Sequence, residues 1–190
     1  MREYDRIADW YSSHRNVHIG VPEVTALAAQ VPRGARVLDV GCGTGAPLTG
    51  TLLNAGCKVF GIDSSGEMLA RFRVNFPETP VIRALAQSSC LAGNAFDAAV
   101  AWGVLFHLAH SDQAKVLASL SQVLRAGAPF LFTSGDEHGS IDSTTNSVSF
   151  RYFSFSIEGY RRLLSENSFA LLETHADHGN NTYYLARKSG

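Results

Sequence analysis

Cysteine is scarce: Cys42, Cys57 and Cys90 are an odd number with no CxxC spacing. This pattern excludes a disulfide framework and a zinc ribbon, and the three side chains read as reduced thiols. Charge of one sign is also missing, since 16 Lys and Arg face 17 Asp and Glu and the formal net charge is −1. A balanced chain argues against a basic nucleic-acid groove or a polybasic membrane face, which leaves small molecules as the first class of partner. No long hydrophobic run exists. The stretch Phe96 to Leu108 is interrupted by Asp97 and His107 and falls short of the roughly 20 residues that span a bilayer. The start, Met1-Arg2-Glu3-Tyr4-Asp5-Arg6, lacks the basic and then apolar pattern of a secretory signal, so a cytoplasmic location is expected. Repeats, low-complexity tracts and linker-like composition shifts are absent as well.

What is present is a chain of 190 residues, 45% hydrophobic and 17% charged. That suits one domain over residues 1–190, with about 70% of its unfolded surface buried and no metal needed for folding. Arg2 to Arg15 and Pro22 to Val31 carry apolar residues at helical intervals, giving a helical N-terminal lid over residues 1–32. A core over 33–135 alternates strand and helix. Its strands are Arg36 to Val40, Lys58 to Ile62, Val81 to Ala84, Asp97 to Trp102 and Phe130 to Thr133. The helices start near Pro47 and at Ser65, a short polar helix or loop runs through Leu91, and a last helix is capped by Ser111 or Asp112. Gly135 to Ser147 reads as a polar loop. Over 136–190 the chain then closes with a helix, Ile157 to Asn167, and an antiparallel hairpin, Phe169 to His175 and Thr182 to Arg187, joined through Asp177-His178-Gly179-Asn180. The expectation is an α/β fold: a Rossmann-like, mostly parallel sheet with helices on both faces and an antiparallel terminal strand.

The most informative stretch is Val37-Leu38-Asp39-Val40-Gly41-Cys42-Gly43-Thr44-Gly45. An apolar strand carries an acid near its end, followed by three glycines at every second position. Glycine permits positive φ and lets a ligand touch backbone, and the helix that follows presents free N–H groups. A tight corner alone would also use such glycines. The second strand, however, ends in Asp63 about 20 residues downstream, where a nucleoside fold places a carboxylate on the ribose hydroxyls. That carboxylate would repel a 2′-phosphate, which disfavours NADP by charge. NAD is disfavoured by the turn, because GxGxG lacks the two-residue gap before the third glycine of the pyrophosphate-binding GxGxxG.

Together, VLDVGCGTG, VFGIDSSGEML, FDAAVAWGVLFHL and LRAGAPFLFT, in this order between about Val37 and Thr133, resemble the class I S-adenosylmethionine-dependent methyltransferases. The tail, with its aromatic-Leu-Ala-Arg-Lys ending from Tyr184 to Lys188, is similar to that of small bacterial single-domain members. The resemblance implies seven strands and S-adenosyl-L-methionine as cofactor, with S-adenosyl-L-homocysteine as product. It implies that Asp39, Gly41, Cys42, Gly43 and Gly45 surround the methionine part of the cofactor and that Asp63 holds the ribose. Ser64 and Met68 then border the adenine, and Trp102 and Gly103 lie beside the sulfonium. Many relatives place an Asp before an Ala on the adenine amino group, where this chain has Leu85-Ala86; backbone there or the Gln87 side chain would substitute. The first helix resembles a lid whose Tyr11 and Arg15 reach the methionine carboxylate, while Trp10 serves packing equally well.

Methyl transfer from a sulfonium is an in-line displacement. Alignment supplies effective molarities on the order of 10⁵ or more, whereas a general base adds roughly 10² to 10⁴ and is needed only if the acceptor loses a proton. His107, just beyond the fourth strand, is the first candidate base, with His110, Asp136, Glu137 and His138 behind it. His14 and His18 lie near the lid, and His175 and His178 read as surface residues. Tyr152, Phe153 and Phe155 read as core more than as substrate wall. The fourth strand ends Ala101-Trp102-Gly103-Val104, without the Asn/Asp-Pro-Pro-aromatic of base-amino methyltransferases or a Pro-Cys nucleophile, which argues against nucleic acid as acceptor. The reading is methyl transfer to a small molecule with no metal. The alternatives are an NAD-dependent oxidoreductase and a non-catalytic cofactor-binding domain acting through partners. Oligomeric state is not legible.

Overall fold

The computed structural model describes residues 2–88, 95–176 and 181–190. Its main sheet has seven strands in the order β3-β2-β1-β4-β5-β9-β8. The strands are β1 (Arg36–Val40), β2 (Lys58–Asp63), β3 (Val81–Arg83), β4 (Ala98–Ala101), β5 (Pro129–Ser134), β8 (Phe169–Ala176) and β9 (Thr182–Lys188). The first five pair in parallel, and β9 runs antiparallel to both β5 and β8. Helices are α1 (Arg2–His14), α2 (Val21–Ala28), α3 (Leu48–Asn54), α4 (Gly66–Asn75), α5 (His110–Val123) and α6 (Ile157–Glu166).

Alternation along the strands builds two cores, one on each face of the sheet. Leu38, Ala99, Phe130 and Phe132 point to one side, where Val116, Leu117 and Leu120 of α5 and Tyr160 and Leu164 of α6 cover them. Val37, Val59, Val100 and Leu131 point to the other, under Val24 and Leu27 of α2 and Leu48 and Leu52 of α3. Strands buried on both sides read as unbroken apolar runs, which is why Ala98–Ala101 is entirely buried. A polar network inside this core joins the Tyr160 hydroxyl to Ser134 Oγ at 2.5 Å and to Gln113 Oε1 at 2.7 Å, so the buried hydroxyl is satisfied.

Two expectations need correction. Gly135 to Ser147 is not a loop: β6 (Gly139–Thr145) and β7 (Val148–Ser154) form a separate two-stranded antiparallel sheet. Asn146 and Ser147, with φ of 46° and 61°, make the two-residue turn between them. Helix α5 is not capped by Ser111 or Asp112; Ala109 holds the N-cap position without a side-chain cap. Ser65, read as the first residue of a helix, is the N-cap of α4 and accepts from Met68 N. Cys90, Leu91 and the hairpin connection containing His178 lie outside the described residues. Among the described residues no helix is long and apolar enough to cross a membrane.

Candidate functional site

A cleft opens where β1, β2 and β4 end, and α1 lies across it. Its walls hold Tyr11, Arg15, Gly41, Gly43, Asp63, Ser64, Met68, Leu85, Ala86, Trp102, Gly103 and His107, all singled out from the sequence. Tyr4, Ile62, Ala84, Val104 and Leu108 complete it, together with Gln87. Three residues expected on the cofactor are not part of the wall. Asp39 is buried beneath the loop and accepts from Thr49 Oγ1 at 2.6 Å. Cys42 packs with Leu69 and Phe72. Gly45 is fixed by packing, because a Cβ there would stand 2.6 Å from the Phe76 ring.

The glycine loop is shaped by its own hydrogen bonds. Gly41 and Cys42 donate their N–H groups to Ile62 O at 2.8 and 3.1 Å, which ties β1's exit to β2. Gly41 has φ of 70° and presses on β4's exit, since a Cβ would meet Val104 at 2.6 Å. Gly43 differs: φ is 55°, but a Cβ would touch nothing within 4 Å. It faces open cleft.

Asp63 sits at the tip of β2 with Gly43 N donating to one carboxylate oxygen at 2.9 Å and Ser65 N to the other at 2.8 Å. These two bonds aim the carboxylate and leave further lone pairs for a diol. Burial raises its pKa, opposed by the backbone donors. Burial likewise pushes Asp39 up to about 6, with the bond from Thr49 and the positive charge of Arg15 working the other way.

The lid is held by residues the sequence does not advertise. Asp5 Oδ1 accepts from Ser65 Oγ at 2.5 Å and from Glu67 N at 3.2 Å, so α1 supplies a carboxylate to the N-terminus of α4. Arg71 Nη2 meets Asp9 at 2.5 Å. Ile7 packs with Val148 and Phe150 of β7. On the inner side, Arg15 Nη1 donates to the Tyr11 hydroxyl at 2.7 Å. Trp10 stacks on His14 rather than lining the cleft, and His14 and His18 are exposed.

His107 is within the cleft wall and bonded to the Tyr4 hydroxyl through Nε2 at 2.9 Å. Rings of Tyr4, Phe106, Phe150 and Tyr152 surround it at centroid distances of 4.7 to 5.6 Å. Burial among them drives its pKa down to about 4, so the imidazole is neutral at pH 7. Tyr152, expected in the core, is half-buried, packs behind His107 beside the Ile7, Val148 and Phe150 cluster, and lines the neighbouring groove. His110 and His138 stack on each other at 4.7 Å outside this cleft; His138, Asp136 and Glu137 line a separate groove under the β6–β7 hairpin. His175 is exposed and stacks on Tyr183.

Two features of the cleft fit an adenosine ligand. Gln87 Oε1 is buried without a hydrogen-bond partner, an arrangement that costs about 1 to 3 kcal/mol unless a donor arrives. Gly43 presents bare backbone beside Asp63. The methyltransferase-domain family model matches residues 37–127, the span from β1 through α5 that builds these walls apart from the α1 residues. Residues 37–127 thus form a methyltransferase domain, and the chain has the fold of the class I S-adenosylmethionine-dependent methyltransferases. The cofactor of this methyltransferase family is S-adenosylmethionine.

Among solved structures, the CcbJ methyltransferase from Streptomyces caelestis superposes with a TM-score of 0.82 at 16% identity, covering 99% of this chain and 98% of that one. At this identity the likeness concerns the fold. An uncharacterized protein of Methanocaldococcus jannaschii is 30% identical over 131 residues, 68% of this chain and 49% of its own length. The Xenopus tropicalis tRNA (carboxymethyluridine(34)-5-O)-methyltransferase alkbh8 is 33% identical over 129 residues, 67% of this chain and 19% of its own. The chain thus spans half or less of the length of these curated relatives.

The signal for Gly103 was incomplete in the sequence. Its N–H donates to Thr133 Oγ1 at 2.8 Å, so β5 fixes the turn after β4. Tyr4 and Asp5 were missed because their partners lie about 60 to 100 positions away.

Proposed function

We propose that this methyltransferase transfers the methyl group of S-adenosylmethionine to a small-molecule acceptor in the cytoplasm. The observation that carries the reading is Asp63, aimed by two backbone donors beside the bare loop at Gly43. In this reading Asp63 accepts from both ribose hydroxyls, and Arg15, braced by Tyr11, pairs with the methionine carboxylate. Gln87 Oε1 accepts from the adenine amino group, with Leu85, Ala86, Ser64 and Met68 against the ring. Trp102 and Gly103 border the reacting end. Asp39, Cys42 and Gly45 act from behind, by holding the loop in shape.

Bound there, the cofactor supplies an electrophilic methyl on a positively charged sulfur. The chain's share is alignment and exclusion of water, to which α1 contributes as a cover braced by β7. His107 stays neutral at pH 7 and is the group in the wall able to take a proton from the acceptor. A net charge of −1 disfavours a phosphate-rich acceptor. The likeness to a tRNA-modifying enzyme nevertheless makes RNA the comparison to run.

The test supplies methyl-labelled S-adenosylmethionine with a panel of small hydroxyl, amine and thiol compounds and, separately, total tRNA. Label transfer to one small-molecule class supports the reading, and transfer to tRNA alone contradicts the acceptor. Tight cofactor binding with no transfer to anything favours a non-catalytic domain.

A further inference from the structure

We infer that the Gln87 amide reads the purine edge of the cofactor in either hydrogen-bonding sense, so that the cleft takes a 6-oxopurine nucleoside as well as a 6-aminopurine one. S-inosylhomocysteine is then a ligand of the same site. This inference rests on the cofactor reading above and adds a second class of nucleoside to that cleft.

The backbone that carries Gln87 is fixed, and its side-chain end is not. After the short strand β3 the chain enters one 3-10 turn, Ala86–Ser88, closed by Ser88 N donating to Leu85 O at 3.0 Å. Ala86 packs inward against the core, which anchors the turn. Gln87 lines the cleft, and its Oε1 is buried without a partner. Among the described residues no hydrogen bond holds the amide in one sense. A half-turn about the last side-chain torsion, which is broad and nearly two-fold, exchanges oxygen and nitrogen and breaks no contact within the chain. In both senses a buried polar atom is left for a ligand to satisfy.

Charge at this end of the cleft does nothing to impose one sense. The charged lining residues at pH 7 among those described are Asp63 and Arg15, which in the cofactor reading serve the ribose and the methionine carboxylate. Around the purine lie Ser64, Met68, Ala84 and Leu85, none of them ionised. A carboxylate in the place of the amide would accept from a 6-amino group and repel a 6-oxo group, because it can only accept. An amide carries one donor and one acceptor side by side. For the aminopurine, Oε1 accepts from the 6-amino group and Nε2 donates to the unprotonated ring nitrogen beside it. For the oxopurine the ring nitrogen carries the hydrogen, so Nε2 donates to the 6-oxo oxygen and Oε1 accepts from the ring N–H. The count of hydrogen bonds is the same in both. A site discriminates strongly against an analogue only when the exchange leaves buried polar groups unpaired, and here it leaves none.

The experiment titrates the full chain by calorimetry with three ligands that differ at one purine position: S-adenosylhomocysteine, S-inosylhomocysteine and the analogue with hydrogen in place of the 6-amino group. The expected result is S-inosylhomocysteine within about 10-fold of S-adenosylhomocysteine, and the 6-unsubstituted analogue weaker by about 5-fold or more because it leaves the Gln87 oxygen unpaired. Gln87→Glu, which can only accept, should widen the ratio between the amino and oxo ligands at least about 10-fold over wild type. S-inosylhomocysteine weaker than S-adenosylhomocysteine by more than about 10-fold in wild type, a 6-unsubstituted analogue as tight as S-adenosylhomocysteine, or a ratio unmoved by Gln87→Glu would overturn the inference while leaving the cofactor reading in place. The wild-type titrations decide it even where the variant fails to fold. Failure of S-adenosylhomocysteine itself to bind the wild-type chain would overturn both.

Discussion

The two sides of the cleft are built in opposite ways. The centre of the proposed cofactor side, from β1 through the turn after β2, is one short stretch of chain whose glycine loop and second strand tip hydrogen-bond to each other across about 20 positions. The side proposed for the acceptor is assembled from three remote pieces: Tyr4 of α1, His107 after β4, and Phe150 and Tyr152 of β7 packed behind it. Local backbone geometry fixes the first, so it can be shared widely among chains that bind one cofactor. Long-range packing fixes the second, so it can change with the acceptor.

The largest effect that sharpens this contrast is Gly41→Ala. A Cβ 2.6 Å from Val104 at φ of 70° should cost about 2 to 4 kcal/mol of stability, seen in urea unfolding. Gly43→Ala is the matched control. With no neighbour within 4 Å, it should cost only about 1 kcal/mol, yet weaken S-adenosylhomocysteine binding about 10-fold or more by filling the cleft. Equal stability losses in the two would break the distinction between a packed and a ligand-facing glycine.

On the acceptor side, His107 is depressed to about 4 in the folded chain against an ordinary value of 6.5. A depressed group gives stability that is present above the unfolded pKa and lost as pH falls through the folded one, so this contribution fades between pH 6.5 and 4. Asp39, raised to about 6, has the opposite sign: its contribution is full below about 4 and fades as pH rises through 6. His107→Gln should therefore reduce the acid loss by about 2 to 3 kcal/mol, read as the difference between variant and wild type at pH 7 and at pH 4.5. An unchanged acid limb would mean that the imidazole is wetter than its aromatic surroundings imply.

Asp63→Ala should weaken S-adenosylhomocysteine by about 1.5 to 3 kcal/mol through lost charged hydrogen bonds. The smallest effect belongs to the lid. Asp5→Ala removes acceptors for Ser65 Oγ and Glu67 N and should cost about 1 kcal/mol, with faster hydrogen exchange confined to α1.

The same division explains what could be read from the sequence. The five parallel strands and Asp63 emerged from runs and spacings because each is specified by its neighbours, whereas Ser64 and Met68 came from the resemblance to the methyltransferases. Gly45 and Cys42 have the right pattern but serve packing, a distinction that depends on Phe72 and Phe76 from another element. The β6–β7 hairpin was hidden because β6 is almost all small, polar and exposed, and its Asn146-Ser147 turn lacks the usual glycine. Tyr4 and Asp5 looked like ordinary residues of an amphipathic helix; their partners become neighbours only when α1 crosses the sheet.

The central claim is that bare backbone at the first strand's tip and a carboxylate at the second together hold S-adenosylmethionine. Calorimetric titration of the purified chain with S-adenosylhomocysteine and with NAD tests it most directly. The account predicts one S-adenosylhomocysteine per chain and no measurable heat from NAD. Saturable binding of NAD with none of S-adenosylhomocysteine would contradict it.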